Sequence, residues 1–305
     1  MSTARAASQR DLLPDRLAHH ASTRPDDPAL LARTASGDFT PISWQQYYAR
    51  VRQMAAACLA VGLPVGGAVA ILGDSRAEWV ISTLGTFCAG GVAVGIYQTS
   101  TAEQTAYVLR HSDAVVAVIE NLAQWRKVRP HLSSLPQLRR VVLMEGAAAL
   151  PAEDQGLTSS LGGPLCQSWD DFLASGASSE AAVDARLASI TPAQVAVVIY
   201  TSGTTGTPKG VMLTHQNLAW TTTCVLQLYP VDQSDIVVSY LPLSHIAEQL
   251  ISLYGPVVLG NQVYFAESLE KVPENLKDVQ PTIFFGVPRI WEKFHAAVTA
   301  RLSQV

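Results

Sequence analysis

Between Ala68 and Met144 the chain alternates short apolar runs with longer stretches of helical periodicity, and this rhythm leaves few folds open to it. Ala68–Leu72, Val92–Gly95, Ala114–Ile119 and Arg140–Met144 lack the inward–outward alternation of a half-exposed strand, so each reads as a strand covered on both faces. Ser75-Arg-Ala-Glu78 has the form of a capping box opening a helix that runs to about Gly90, and Thr101-Ala-Glu-Gln104 opens another that ends near His111. A third helix contains Trp125. Strands and helices in strict alternation predict a parallel sheet with helices on both faces, an α/β protein. Upstream, 11–24 and 44–61 have helical spacing, the second ended by Gly62 and Pro64, and 40–43 resembles a short strand.

From Glu145 to about Ser189 the periodicity weakens and Gly, Ser, Ala and acidic residues accumulate, which predicts a variable surface connection with one short helix near 169–173. The α/β rhythm returns at Ile190. Thr191-Pro-Ala-Gln194 resembles a further capping box, and 195–200 reads as a buried strand. Strands are expected at 210–214, 236–241, 262–265 and 282–285, and helices at 217–228, 246–259, 273–278 and from 289 onward. The expected organisation is a first α/β subdomain over 1–144, a connection over 145–189 and a second α/β subdomain over 190–305.

Hydrophobic residues make up 48% of the 305 and charged residues 15%, enough for a large core. A net charge of -4 without a Lys/Arg run argues against nucleic-acid binding. Cys58, Cys88, Cys166 and Cys224 form no CxxC pair, and three of them sit in apolar helical stretches as core thiols of a reducing compartment. No signal peptide and no apolar run near the ~20 residues of a membrane span is visible, so the expected location is cytoplasmic, with room for peripheral membrane contact. Oligomeric state is not written in the sequence.

The chemistry concentrates after the strand at 195–200. Tyr200-Thr-Ser-Gly-Thr-Thr-Gly-Thr-Pro-Lys-Gly210 packs three glycines, five serine or threonine residues and one lysine into eleven positions. Ser/Thr/Gly clusters ordinarily mark flexible turns. Here the composition suits a polyphosphate: Gly203 and Gly206 let backbone N–H groups approach anionic oxygens, Thr201, Ser202, Thr204 and Thr205 offer hydroxyls to phosphate or Mg²⁺, and Lys209 brings a mobile positive charge. It is not a Walker A loop, because no Lys follows the second glycine. The whole string resembles the phosphate loop of the AMP-dependent synthetase and ligase superfamily, the adenylate-forming enzymes.

Two further segments carry the resemblance. Ser239-Tyr-Leu-Pro-Leu-Ser-His245-Ile-Ala-Glu-Gln249 is similar to the next superfamily motif in its long-chain acyl-CoA synthetase form. A lone His at a helix start usually caps or packs, but this context implies that His245 lies beside the acyl carboxylate and the ATP α-phosphate, with Gln249 on the substrate side. Gly286-Val-Pro-Arg-Ile-Trp-Glu292 is similar to a segment that walls the acyl pocket in relatives, which implies substrate contacts for Gly286, Val287 and Pro288; a plain strand-to-helix turn is the bland reading. The 74–79, 90–97 and 107–112 stretches also look like the family and read as scaffold.

The resemblance, closest to long-chain synthetases and including their bubblegum-type branch, implies an incomplete large N-terminal domain built on two mostly parallel sheets flanked by helices. It implies a fatty acid–CoA ligase that activates a long-chain fatty acid through acyl-AMP, with ATP and Mg²⁺ as cofactors and coenzyme A as cosubstrate. Lys209 and His245 are then the catalytic candidates. Thr201, Ser202, Gly203, Thr204, Thr205, Gly206, Thr207, Lys209 and His245 would meet the nucleotide, and Thr201 the metal. The family's Tyr-Gly-x-Thr-Glu segment, ribose-binding Asp and C-terminal lid with its lysine are not found, so this stretch is expected to be inactive alone. The alternatives are a fatty acyl-AMP ligase loading a carrier protein, and a non-catalytic chain that binds nucleotide or acyl ligand.

Overall fold

Strands without a polar face must be covered twice, and the chain meets that requirement with helices shared between two sheets. A computed structural model describes residues 11–34, 37–160, 162–201 and 207–302. In chain order the elements are α1 (Leu13–Thr23), β1 (Pro28–Arg33), β2 (Phe39–Ser43), α2 (Trp44–Ala60), β3 (Ala68–Leu72), α3 (Ala77–Cys88), β4 (Val92–Ile96), α4 (Ala102–His111), β5 (Ala114–Ile119), α5 (Leu122–Val128), β6 (Arg140–Leu143), α6 (Ala152–Gln155) and β7 (Cys166–Ser168). They continue with α7 (Trp169–Ser175), α8 (Glu180–Ser189), β8 (Val195–Thr201), β9 (Lys209–Thr214), α9 (His215–Leu228), β10 (Ile236–Ser239) and α10 (Ile246–Gln249). A π-helical turn (Leu250–Tyr254) leads into α11 (Gly255–Leu259), followed by β11 (Gln262–Phe265), α12 (Val272–Val279) and α13 (Pro288–Leu302).

The larger sheet has the order β7-β6-β5-β3-β4-β8-β9 and is parallel except for β9, which returns antiparallel to β8. The smaller has the order β10-β11-β1-β2, parallel through β1 with β2 antiparallel. The expected α/β architecture of two mostly parallel sheets with flanking helices is therefore present. The sheets do not follow the sequential division at 144 and 190: β8 and β9 complete a sheet begun at β3, and β10 and β11 complete one begun at β1.

The apolar runs alternate between two cores rather than between core and water. In β3, Val69 and Ile71 face a cluster with α2 and α3, while Ala68, Ala70 and Leu72 face a second cluster containing Val108 and Leu109 of α4 and Trp125 of α5. The first cluster continues through Leu30, Ile42 and Val263 of the small sheet, so the two sheets share one apolar interior. Trp44, Tyr47, Trp79, Phe87 and Met54 are fully buried there, each such side chain contributing about 1.5–3 kcal/mol. Cys58 and Cys88 are core thiols as expected, and burial pushes both up to about 12.

Four local expectations need correction. Residues 145–189 are not mere connection: β7 extends the large sheet, and Trp169, Phe172 and Val183 are buried. Within it Gly176 is closely packed, since a Cβ there would stand 2.3 Å from the Ala57 nitrogen of α2. Residues 191–194 form a turn instead of a helix start. The 282–285 stretch makes a single bridge, Ile283 to Val237, and no full strand. Pro28–Arg33, unforeseen, is the central link of the small sheet. At 75–78 the helix starts from Arg76 without a side-chain cap, because Ser75 is engaged elsewhere.

Candidate active site

The carboxyl ends of β4 and β8 and the loop after β10 converge on one cleft of about 480 Å³, a volume suited to a small-molecule ligand. Its lining includes Gly95 and Tyr97 after β4, Gln104 and Val108 of α4, Thr201 and Pro208 at the two ends of the phosphate loop, and His245.

The loop at 240–245 is held from several sides. Ser75 Oγ donates to the Leu241 carbonyl at 2.5 Å. Gln249 Nε2 donates to the Leu243 carbonyl at 2.7 Å, and Tyr254 Oη donates to Gln249 Oε1. Glu248 is 2% exposed and its Oε1 accepts from Ser239 Oγ at 2.7 Å, Ser252 Oγ at 2.7 Å and the Tyr240 amide at 3.3 Å. Burial pushes the Glu248 carboxyl up to about 7, against the opposing pull of these donors and the Leu241 amide. On the far side Gly95 admits the loop: a Cβ there would stand 2.8 Å from Ser244 Cα and 3.3 Å from Trp79 Cζ2. Gly95→Ala is therefore expected to destabilise the chain by about 1–3 kcal/mol, measured as a lowered denaturation midpoint. An unchanged midpoint would show that the loop yields freely.

His245 is the N-cap of α10, and its Nδ1 accepts from the Ala247 amide at 3.2 Å. A neutral ring with Nδ1 so used carries its proton on Nε2, a donor at an exposed position of the cleft wall.

The phosphate-loop motif begins and ends on one cross-strand pair. Tyr200 faces Gly210 and Thr201 faces Lys209 in the β8–β9 register, so the hairpin sets the two loop ends side by side. Gly210 gives that register room, since a Cβ there would meet Val198 Cγ1 at 2.8 Å. Thr201, Thr207 and Lys209 are exposed, while Ser202, Gly203, Thr204, Thr205 and Gly206 lie outside the described residues.

Of the expected site residues, then, Thr201 and His245 share the cleft wall, with Lys209 paired to Thr201. Gln249 is fully buried with both ends of its amide committed within the chain. Gly286 lies under Trp291, whose Nε1 donates to the Gly286 carbonyl at 2.9 Å; Val287 is half-buried and Pro288 opens α13. These four residues are not among those lining the cleft. An aromatic group joins their segment to the 240 loop instead: Tyr240 stacks on Phe284 at 5.4 Å and donates through Oη to the Phe285 carbonyl. Glu248 was missed in the sequence, where its one signal was a carboxylate at the start of an apolar helix. Among the described residues no group of His, Cys, Asp or Glu is arranged to hold a metal, and none of the cleft residues is a carboxylate. Among them too, no helix is long and apolar enough to cross a membrane.

A doubly covered α/β sheet thus brings the two described ends of a Gly/Thr-rich loop and a helix-capping His together at its carboxyl edge. The chain belongs to the AMP-binding enzyme family, whose pattern matches residues 17–304. It is 38% identical over 277 residues to the long-chain-fatty-acid–CoA ligase ACSBG2 of Homo sapiens, covering 89% of this chain and 40% of that protein. With ACSBG1 of Rattus norvegicus it shares 38% over 260 residues, covering 83% of this chain and 34% of the relative. The chain thus spans between about a third and two fifths of the length of these curated relatives. Among solved structures, the adenylation domain of a carboxylate reductase from Mycobacterium chelonae superposes with a TM-score of 0.80 at 22% identity, covering 96% of this chain and 48% of that one. A long-chain-fatty-acid CoA ligase structure from Rhodopseudomonas palustris gives 0.72 at 18%, covering 91% and 63%. At these identities the structural likeness concerns the fold.

Proposed function

We propose that the chain is the front part of an AMP-forming long-chain fatty acid–CoA ligase. The observation that carries this reading is the meeting of the phosphate-loop ends, Thr201 and Pro208, with His245 on one cleft at the carboxyl ends of parallel strands. The 38% identity to proteins named as long-chain-fatty-acid–CoA ligases supports the choice of substrate.

In the first step a carboxylate oxygen of the fatty acid attacks the α-phosphorus of ATP and pyrophosphate leaves. Both partners are anionic, so the site must offset charge and hold them in line. Lys209 supplies the positive charge, and Thr201, Ser202, Gly203, Thr204, Thr205, Gly206 and Thr207 supply hydroxyl and backbone donors for the β- and γ-phosphates. His245 Nε2–H donates toward the carboxylate or the α-phosphate. In the second step the coenzyme A sulfur attacks the acyl carbonyl and AMP leaves. Mg²⁺, when bound with ATP, would screen the phosphates, and the Thr201 hydroxyl is the loop oxygen on the described cleft wall that would meet it. Gln249, Gly286, Val287 and Pro288 then shape the acyl side through the loops they brace. The full cycle requires the portion that the relatives carry outside the matched segment.

The test is to incubate the protein carrying that portion with a long-chain fatty acid, MgATP and either coenzyme A or an acyl-carrier protein. Acyl-CoA with stoichiometric AMP is the expected product. Acyl transfer to the carrier alone would establish the acyl-AMP ligase instead, and turnover of ATP to ADP would contradict both.

A further inference from the structure

The two ends of the phosphate loop are tied to helix α4, a helix that the sequence marked only as scaffold. Tyr107 Oη donates to the Pro208 carbonyl at 3.0 Å, on the trailing end. His111 Nδ1 lies 2.8 Å from Tyr200 Oη, on the leading end. Tyr107 and His111 are i and i+4, one above the other on the same helical face, and their rings stack at 5.3 Å. Tyr200 closes the group, edge-on to His111 at 5.7 Å and to Tyr107 at 6.4 Å.

The geometry of this contact exceeds what packing needs. Pro208 lies just outside the last cross-strand pair among the described residues, Thr201 with Lys209, and its carbonyl accepts from Tyr107. Tyr200 is the residue before Thr201, and the Gly210 opposite it carries no side chain to hold its ring in place. The platform itself is rigid. α4 starts from a complete Thr101/Gln104 capping box, and Thr105, Ala106, Val108 and Leu109 are buried beneath it. Gln104 and Val108 of the same helix line the cleft.

We propose that Tyr107 and His111 are positioning residues that clasp both ends of the phosphate loop, fixing the spacing of Thr201 and Lys209 before nucleotide arrives. This rests on the nucleotide-binding role given to the loop above. The clasp holds the Tyr200 side chain on one strand and the Pro208 backbone on the other, so loosening either contact lets the hairpin mouth open without unfolding the sheet. The loss then falls on nucleotide affinity rather than on global stability.

Tyr107→Phe removes one hydroxyl, and His111→Phe removes the ring nitrogens while keeping an aromatic stack. In the 305-residue chain, hydrogen–deuterium exchange at Thr207, Lys209 and Gly210 is expected to quicken on the order of three- to tenfold in either variant, the effect of one lost hydrogen bond. Exchange in β3 stays unchanged, and Tm stays within about 3 °C of the parent. Titration with MgATP of the protein that also carries its relatives' remaining portion is expected to give a Kd several-fold higher in both variants, with palmitate binding unaltered. Unchanged exchange at those three amides in both variants overturns the clasp. Faster exchange with an unchanged MgATP Kd overturns its positioning role. If the parent of that longer protein takes up no MgATP while the variants exchange faster, the clasp stands and the nucleotide reading of the loop fails.

Discussion

Replacing Lys209 by alanine in the protein that carries this chain together with the rest of its relatives' length is expected to lower fatty-acid-dependent ATP–pyrophosphate exchange about 100-fold or more. The reason is charge. The first step drives a carboxylate against a polyphosphate, and among the residues placed at the loop mouth Lys209 is the one that brings a full positive charge. Its side chain is exposed and its backbone is held by the Thr201 pairing, so truncation leaves the hairpin in place and stability within about 0.5 kcal/mol. Lys209→Arg keeps the charge but spreads it over a planar fork, and should recover part of the lost rate. Exchange kinetics unaltered by Lys209→Ala would remove the loop's lysine from the mechanism.

Glu248 carries the largest expected effect on stability, and its sign can be worked out. The carboxyl is held protonated in the fold up to about 7, against an ordinary value of 4.5. Between those values the folded state binds a proton that the unfolded state has released. The associated stability is therefore complete below about pH 4.5 and is lost as pH rises through 7. The displacement corresponds to roughly 3 kcal/mol. Glu248→Gln keeps the shape and cannot titrate, so the difference in unfolding free energy between parent and variant should move by that amount from pH 4.5 to 7.5, in favour of the variant at the upper end. Glu248→Ala is worse at every pH, because the Ser239 and Ser252 hydroxyls and the Tyr240 amide lose their acceptor together, at a cost of about 3 kcal/mol or more. Parallel pH profiles for parent and Glu248→Gln, measured by urea denaturation, would show that the carboxyl is ionised throughout.

Legibility followed the physics of each segment. The strands of the large sheet were readable at β3, β4, β5 and β6 because doubly buried strands must be apolar at every position. Pro28–Arg33 was not, since a strand opened by proline with a charge at its end gives little local signal, and only its parallel pairing with β11, more than two hundred residues away, makes it central. Ser75 showed the limit of local pattern: a capping box on paper, its hydroxyl is captured by the Leu241 carbonyl across the fold. The segment 145–189 looked like linker because its Gly, Ser and Ala residues are mostly exposed, while its buried side chains, Trp169, Phe172 and Val183 among them, are too widely spaced to make a period. For the site, the loop and His245 were legible because their chemistry is carried by residue type. Glu248, Gly95, Tyr107 and His111 were not, because each acts through partners distant in sequence, as Tyr107 does on Pro208.

The most direct measurement is the passage of labelled pyrophosphate into ATP, in the absence of coenzyme A, by the protein carrying this chain and its relatives' remaining portion. A reversible acyl-adenylate step predicts exchange that appears only when a long-chain fatty acid is added and disappears with Lys209→Ala. Exchange indifferent to fatty acid, or its absence while acyl-CoA is still formed, would contradict the adenylate-forming account of the cleft.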